Sequence, residues 1–221
     1  MSDVARYLPL SQTPRGDESG VSSDWSRQLG VVLIDLATVV GTLRPDELDA
    51  ASLVADTRVR DTLAHLCWRL GTSRTARARA VMRQMATARQ GSTAAVRALA
   101  ARTPHQPDTA ARLRELAAAV ILPGSRASIA DLSVAVVDGL DVAVSTGRVL
   151  AIDGVTTGAV ALARSLSAPT PIHAVVRERT LVASDADWTV GIGRALPGTA
   201  AQIVLFLWGR ADVPRDATRG D

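Results

Sequence analysis

Thr57-Arg-Val-Arg-Asp-Thr-Leu-Ala-His65-Leu-Cys-Trp-Arg-Leu-Gly71 is the stretch on which the fold turns. Val59, Leu63, Leu66 and Leu70 recur every three or four residues, the spacing of a helix with one apolar stripe. Thr57 is placed to cap its start, and Gly71 to end it in the left-handed conformation. Asp61, His65 and Trp68 or Arg69 follow one another by a turn on the neighbouring face, so carboxylate, imidazole and indole share a microenvironment. His65 is the one histidine in a long, strongly patterned helix, and it sits beside the single cysteine, Cys67. Chemistry, if the chain performs any, is expected there.

Outward from this helix, composition narrows the class. A chain of 221 residues with 47% apolar content can bury its own core as one large domain or two small ones. All 25 basic residues are arginine, a coding bias that carries no function. One cysteine excludes an internal disulfide and suggests a reducing compartment. The N-terminal residues lack a basic-then-apolar signal pattern, and no apolar run reaches about 18 residues. A cytoplasmic protein with no membrane partner is the expectation. Charge is unevenly spread: residues 1–50 carry four arginines against eight acids, and 51–100 carry nine against two. Adjacent helices of opposite charge explain this as readily as an external anion does.

Read in order, residues 1–21 lack periodicity and form a loose leader. A helix then starts at Ser22 or Ser23, with Trp25, Leu29, Val32, Leu33, Leu36, Val39 and Val40 on its apolar face, and stops at Gly41. A short turn begins at Pro45. Residues 73–90 form an arginine-rich helix with Val81 and Met85 inward, and 92–101 resumes helical spacing. Thr103-Pro-His-Gln-Pro107 breaks the chain. Further helices cover 108–121 and 128–146, the latter capped by Ser128, and a small one covers 154–166. Helix following helix across short breaks predicts an antiparallel bundle. After Pro171 the texture changes. His173–Ala183 and Trp188–Ile192 read as strands, and Thr199–Gly209 as a buried helix packed on them.

Two positions stand out as donors. His65 reads either as a partly buried histidine bonded to Asp61 or a carbonyl, or as a metal ligand whose second nitrogen is oriented by a carboxylate. Asp138 lies among valines at four-residue spacing, where an unpaired charge is costly. It reads as a salt-bridged or solvated acid, or as an oxygen donor to a cation shared with His65. Cys67 points away from His65 and reads as a small core residue. The arginines of 74–89 lack interleaved aromatics, so a solvated face or a site for an acidic small molecule is expected there, and nucleic acid is not. Arg69 and Arg77 are the candidate anion-binding residues.

Leu43-Arg-Pro-Asp-Glu-Leu-Asp49, Ser52-Leu53, Val59-Arg-Asp-Thr-Leu-Ala-His-Leu66, Asp138-Gly-Leu-Asp-Val142 and Leu205-Phe-Leu-Trp-Gly-Arg210, in this order and spacing, resemble the mycothiol-dependent maleylpyruvate isomerase family of actinobacteria. The resemblance spans about residues 22–220. It implies a mainly α fold: a DinB-like four-helix bundle over 22–146, a crossover over 147–170 and a small α/β C-terminal domain over 171–221. It also implies a divalent metal, typically zinc, held by the residue at His65 and by an acid and a histidine four residues apart. The metal activates the thiol of mycothiol for isomerisation of a small acidic substrate. Here the matching positions hold Val134 and Asp138. The ligand set implied is therefore His65 and Asp138, with Asp61 orienting His65 from behind. The competing reading is a DinB-like binding or scaffold protein that has lost its metal ligands and its catalysis.

Overall fold

The computed structural model describes residues 24–88 and 108–214. The expected leader, the 92–101 helix, the Pro-rich break with His105 and the extreme C-terminus lie outside these residues. Helix α1 spans Ser26–Val40, α2 Pro45–Leu48, α3 Val59–Gly71, α4 Arg74–Ala88, α5 Thr109–Val120 and α6 Ile129–Ser145. They are followed by α7 Gly154–Ser165, α8 Thr170–Glu178, β1 Arg179–Ala183, β2 Thr189–Gly191, β3 Arg194–Gly198 and α9 Ala200–Leu207. The protein is mainly helical with one small sheet. No helix among the described residues is long and apolar enough to cross a membrane.

Helices α1, α3, α5 and α6 pack on one another around a shared interior. Leu29, Leu33, Leu36, Leu63, Leu66, Val136 and Leu140 meet there, as their helical spacing predicts. The inner face of the sheet (Leu181, Ala183 and Val190) and the apolar helix α9 are continuous with the same core. The valine run at 134–137, which is also compatible with a strand, is helical. Ser128 caps that helix, and Gly147 turns left-handed just after its end.

Three local expectations change. Helix α3 is not capped by Thr57, whose hydroxyl donates to the Val54 carbonyl; Arg58 is the N-cap, and Asp61 Oδ2 accepts its backbone N–H at 3.0 Å. Gly71 stays helical, and Thr72 leaves the helix in an extended conformation. Met85, expected inward, is 37% exposed, because the arginine-rich α4 lacks a continuous apolar stripe to bury.

The larger correction lies after Pro169. Residues 170–178 form a helix, not the first half of a strand. Pro171 falls in its first turn, where a missing N–H costs nothing and the fixed φ favours helix. The strand is therefore only 179–183, and a third strand, 194–198, was not read from the sequence. The order is β2-β1-β3, with β1 central. Leu181 pairs with Val190 on its antiparallel side and with Leu196 on its parallel side. To get from one flank of β1 to the other, the chain crosses over the start of β1. Gly191 and Gly193 have φ of 101° and 117°, and a Cβ on either would strike the backbone carbonyls of Arg179 or Glu178. Only glycine fits this crossing.

The start of α1 is stapled to the loop before α6. Asp24 Oδ1 accepts from the Ser26 hydroxyl at 2.6 Å, the Ser26 N–H at 3.0 Å and the Ala127 N–H at 3.1 Å. These bonds, the Ser26 hydroxyl foremost, hold its carboxyl below the ordinary value of 3.8. Because the folded value is lowered, the stabilisation is complete above the unfolded value and is lost as pH falls through the folded one. Asp24→Ala is expected to lower Tm by a constant amount between about pH 7 and 5, and by progressively less below about pH 4. Parallel thermal melts of wild type and variant read this directly.

Candidate functional site

Where α3 and α6 pack together, two acids occupy consecutive turns in the valine-rich middle of α6. Asp138 is 1% exposed and Asp141 fully buried. Carboxylates at i and i+3 lie on one face, so both point to the same interior region. Removing two ionised groups from water costs several kcal/mol each unless the protein returns equivalent bonds. Here it does.

Asp141 accepts the Leu53 N–H at 3.0 Å and the Ser52 hydroxyl at 2.9–3.0 Å, and Ser145 from its own helix at 3.2 Å. Ser52 in turn accepts from Thr62 on α3 and from the Val54 N–H. The 50–57 loop is thus held against α6 by one carboxylate. Arg210 then closes the cluster: its Nη1 donates to Asp141 Oδ2 at 2.8 Å and its Nη2 to Asp138 Oδ1. A planar guanidinium with two parallel donors suits two acids one turn apart, as an ammonium would not.

Arg210 is carried to this position by α9. That helix is apolar enough to bury itself, and Gly209, at φ 70°, reverses the chain immediately before the arginine. Arg164 of α7 donates to the Leu207 carbonyl at 3.0 Å, and its guanidinium carbon stands 5.2 Å from the Trp208 ring centroid. The end of α9 is therefore pinned from a second side.

The second oxygen of Asp138 meets His65. Nδ1 lies 3.0 Å from Asp138 Oδ2, and the side chain is 27% exposed. A carboxylate only accepts, so Nδ1 carries the proton and Nε2 is the nitrogen left for other partners. Trp68, one turn on, has its ring centroid 6.5 Å from that of the imidazole. The arrangement is a carboxylate–imidazole pair backed by a largely buried guanidinium.

Of the residues assigned from sequence, His65 and Asp138 are brought together as hydrogen-bond partners of each other. The carboxylate orienting His65 is Asp138, while Asp61 serves the first turn of α3. Arg77 donates to the Arg69 carbonyl and lies 3.8 Å from Asp131, so its charge is already engaged. Arg69 Nε is buried without a hydrogen-bond partner among the described residues. His173 belongs to α8. Cys67 is half-buried, and burial pushes its thiol up to about 11.

The residues present do not fit a zinc ion. Both oxygens of Asp138 are engaged, the position one turn before it is the apolar Val134, and the described residues hold no cluster of three or more His, Cys, Asp or Glu. Zinc sites use three or four protein donors. The cationic partner that a buried carboxylate requires is supplied internally by Arg210.

Sequence reading missed Arg210 and Ser52 as partners of this site, and it missed the role of Asp141. The available signal was Asp141 itself: a second acid, three residues after Asp138, on a helix with no other interior polar stripe. No family model matches the chain, and no curated protein or solved structure matches it either.

Arg210→Met is expected to destabilise the fold by roughly 3–5 kcal/mol, because it strands two buried carboxylates. Adding Asp138→Asn to that variant should recover part of the loss, as urea unfolding midpoints of the single and double variants will show. Cys67 should resist iodoacetamide at pH 8 in the native state and react freely once the chain is unfolded.

Proposed function

We propose that this chain is a metal-independent relative of the mycothiol-dependent maleylpyruvate isomerases, a DinB-like bundle with a small α/β C-terminal unit that binds a small acidic molecule. In this reading the Asp138–Arg210–Asp141 cluster occupies the place of the metal centre, and thiol activation by zinc is not its activity. The observation that carries the reading is the double engagement of Asp138, by His65 on one oxygen and Arg210 on the other. A Lewis acid must hold its thiol while keeping an open coordination position. A guanidinium can do neither, since it donates hydrogen bonds and accepts no ligand. The family resemblance supports the fold half of the proposal, and the ion cluster supports the loss of zinc chemistry.

A partly exposed imidazole with its Nδ1–H held by a buried carboxylate favours a second, catalytic reading: His65 as a proton-transfer group at Nε2, without metal. The two readings part on His65→Gln. Under the binding reading, affinity for the acidic ligand changes and there is no turnover to lose.

The zinc question has a direct test. Protein purified without chelator or metal-affinity steps is expected to contain well under about 0.1 zinc per chain, and to catalyse no maleylpyruvate isomerisation with mycothiol and added zinc. Zinc near one per chain by elemental analysis, lost in His65→Ala, would overturn the proposal. The double variant Val134→Glu/Asp138→His, which restores the three-donor set the resemblance implies, should gain zinc where wild type has none.

A further inference from the structure

At the end of the helical core away from Arg210's cluster, a half-open cleft of about 280 Å³ separates α1, the end of α3, the end of α5 and the start of α6. None of His65, Asp138 and Arg210 lines it. Its floor is Leu29, Leu33, Leu116 and Val120, from two helices that otherwise pack tightly. Its polar lining is Thr72, Ser73, Arg77, Ser125, Arg126 and Asp131.

We propose that this cleft binds a small monocarboxylate with a compact apolar body, the body on the leucine floor and the carboxylate at Arg126. Size sets the first limit, since pockets that enclose drug-sized ligands run from about 300 to 1,000 Å³ and this cleft, at about 280 Å³, falls just below that range. Charge sets the second. Arg77 and Asp131 answer each other, while Arg126 makes no direct ion pair among the described residues and feels Asp24 only at longer range. Asp131 is committed: it accepts from the Ser128 hydroxyl at 2.6 Å and lies 3.8 Å from Arg77. A cationic ligand would find that acid occupied.

Arg126 is exposed, and among the described residues it has no hydrogen bond or ion pair. Asp24 attracts it only at longer range, with one oxygen already carrying three hydrogen bonds. A guanidinium takes a carboxylate through two parallel N–H bonds, and the start of the 17-residue α6 adds a favourable dipole on the same side. A dianion such as phosphate would gain the same guanidinium but face Asp131 with its second charge and leave the leucine floor wet. The site is separate from the His65 cluster, so the proposal stands whichever way zinc content falls.

Calorimetric titration of the whole chain with benzoate, and with its neutral isostere benzamide, tests this. Saturable benzoate binding is expected, with benzamide weaker by about tenfold or more. Arg126→Gln, a change at an exposed side chain, should weaken benzoate to the level of benzamide and leave benzamide unchanged. Ala119→Phe, at the exposed mouth of the cleft, should remove both. His65→Ala should alter neither. Equal affinity for the two probes, benzoate binding that is indifferent to Arg126→Gln or lost with His65→Ala, displacement of benzoate by equimolar inorganic phosphate, or no saturable benzoate binding would each overturn the proposal.

Discussion

Two ionised carboxylates inside a helical core impose the constraint to which much of the rest of the molecule answers. Each would lose several kcal/mol of hydration with no return if it stood alone. Arg210 answers both at once, and in doing so it couples elements from the two ends of the described chain: the loop after α2, through Ser52 and Leu53, and the segment after α9. Helix α6 is the hub because it carries both acids. The apolar surface of α9 brings the arginine close, Arg164 and Trp208 fix the exit of that helix, and the guanidinium then fixes the register between α9 and α6.

The same cluster shapes what the site can do. The largely buried Arg210 guanidinium takes one oxygen of Asp138 and the imidazole takes the other, which leaves the Nε2 edge of His65 open to further hydrogen bonding. His65 is held in one tautomer by a partner that is itself immobilised, the usual condition for a histidine with a defined Nε2. The nearby thiol adds nothing nucleophilic, because burial keeps Cys67 protonated. Arg210 therefore supports both the packing of α9 on α6 and, through Asp138, the orientation of the imidazole.

Much of the site was legible in part. The helix carrying His65 and the oddity of Asp138 among valines follow from spacing alone, since a polar residue inside an apolar period needs a partner. The identity of that partner did not follow. Asp61 is near His65 along the helix, and sequence distance favours it, but the N-terminal turn of α3 claims its carboxylate. Asp138 is 73 residues away from His65, and Arg210 another 72. Spacing on one helix says nothing about which side chain on another helix will face it. That Val134 offers no donor one turn before Asp138 was visible, whereas the guanidinium that partners Asp138 was not.

For the fold, apolar periodicity by itself placed α1, α3, α5, α6, α7 and α9 and most of the inward residues of α1, α3, α5 and α6, because a helix that packs on a core must repeat its apolar face every three or four positions. It also located a small sheet near the C-terminus. Tertiary structure decided what short, ambiguous segments became. Residues 170–178 are helical because Pro171 sits in a first turn and Val176 has a core to enter. Arg194–Gly198 is a strand because β1 offers it a free edge, which no local pattern announces. The two glycines that let the chain cross β1 read in the sequence only as turn residues. Their necessity comes from the backbone carbonyls at the junction of α8 and β1 lying against them, and a close approach of two backbones exists only once the chain is folded.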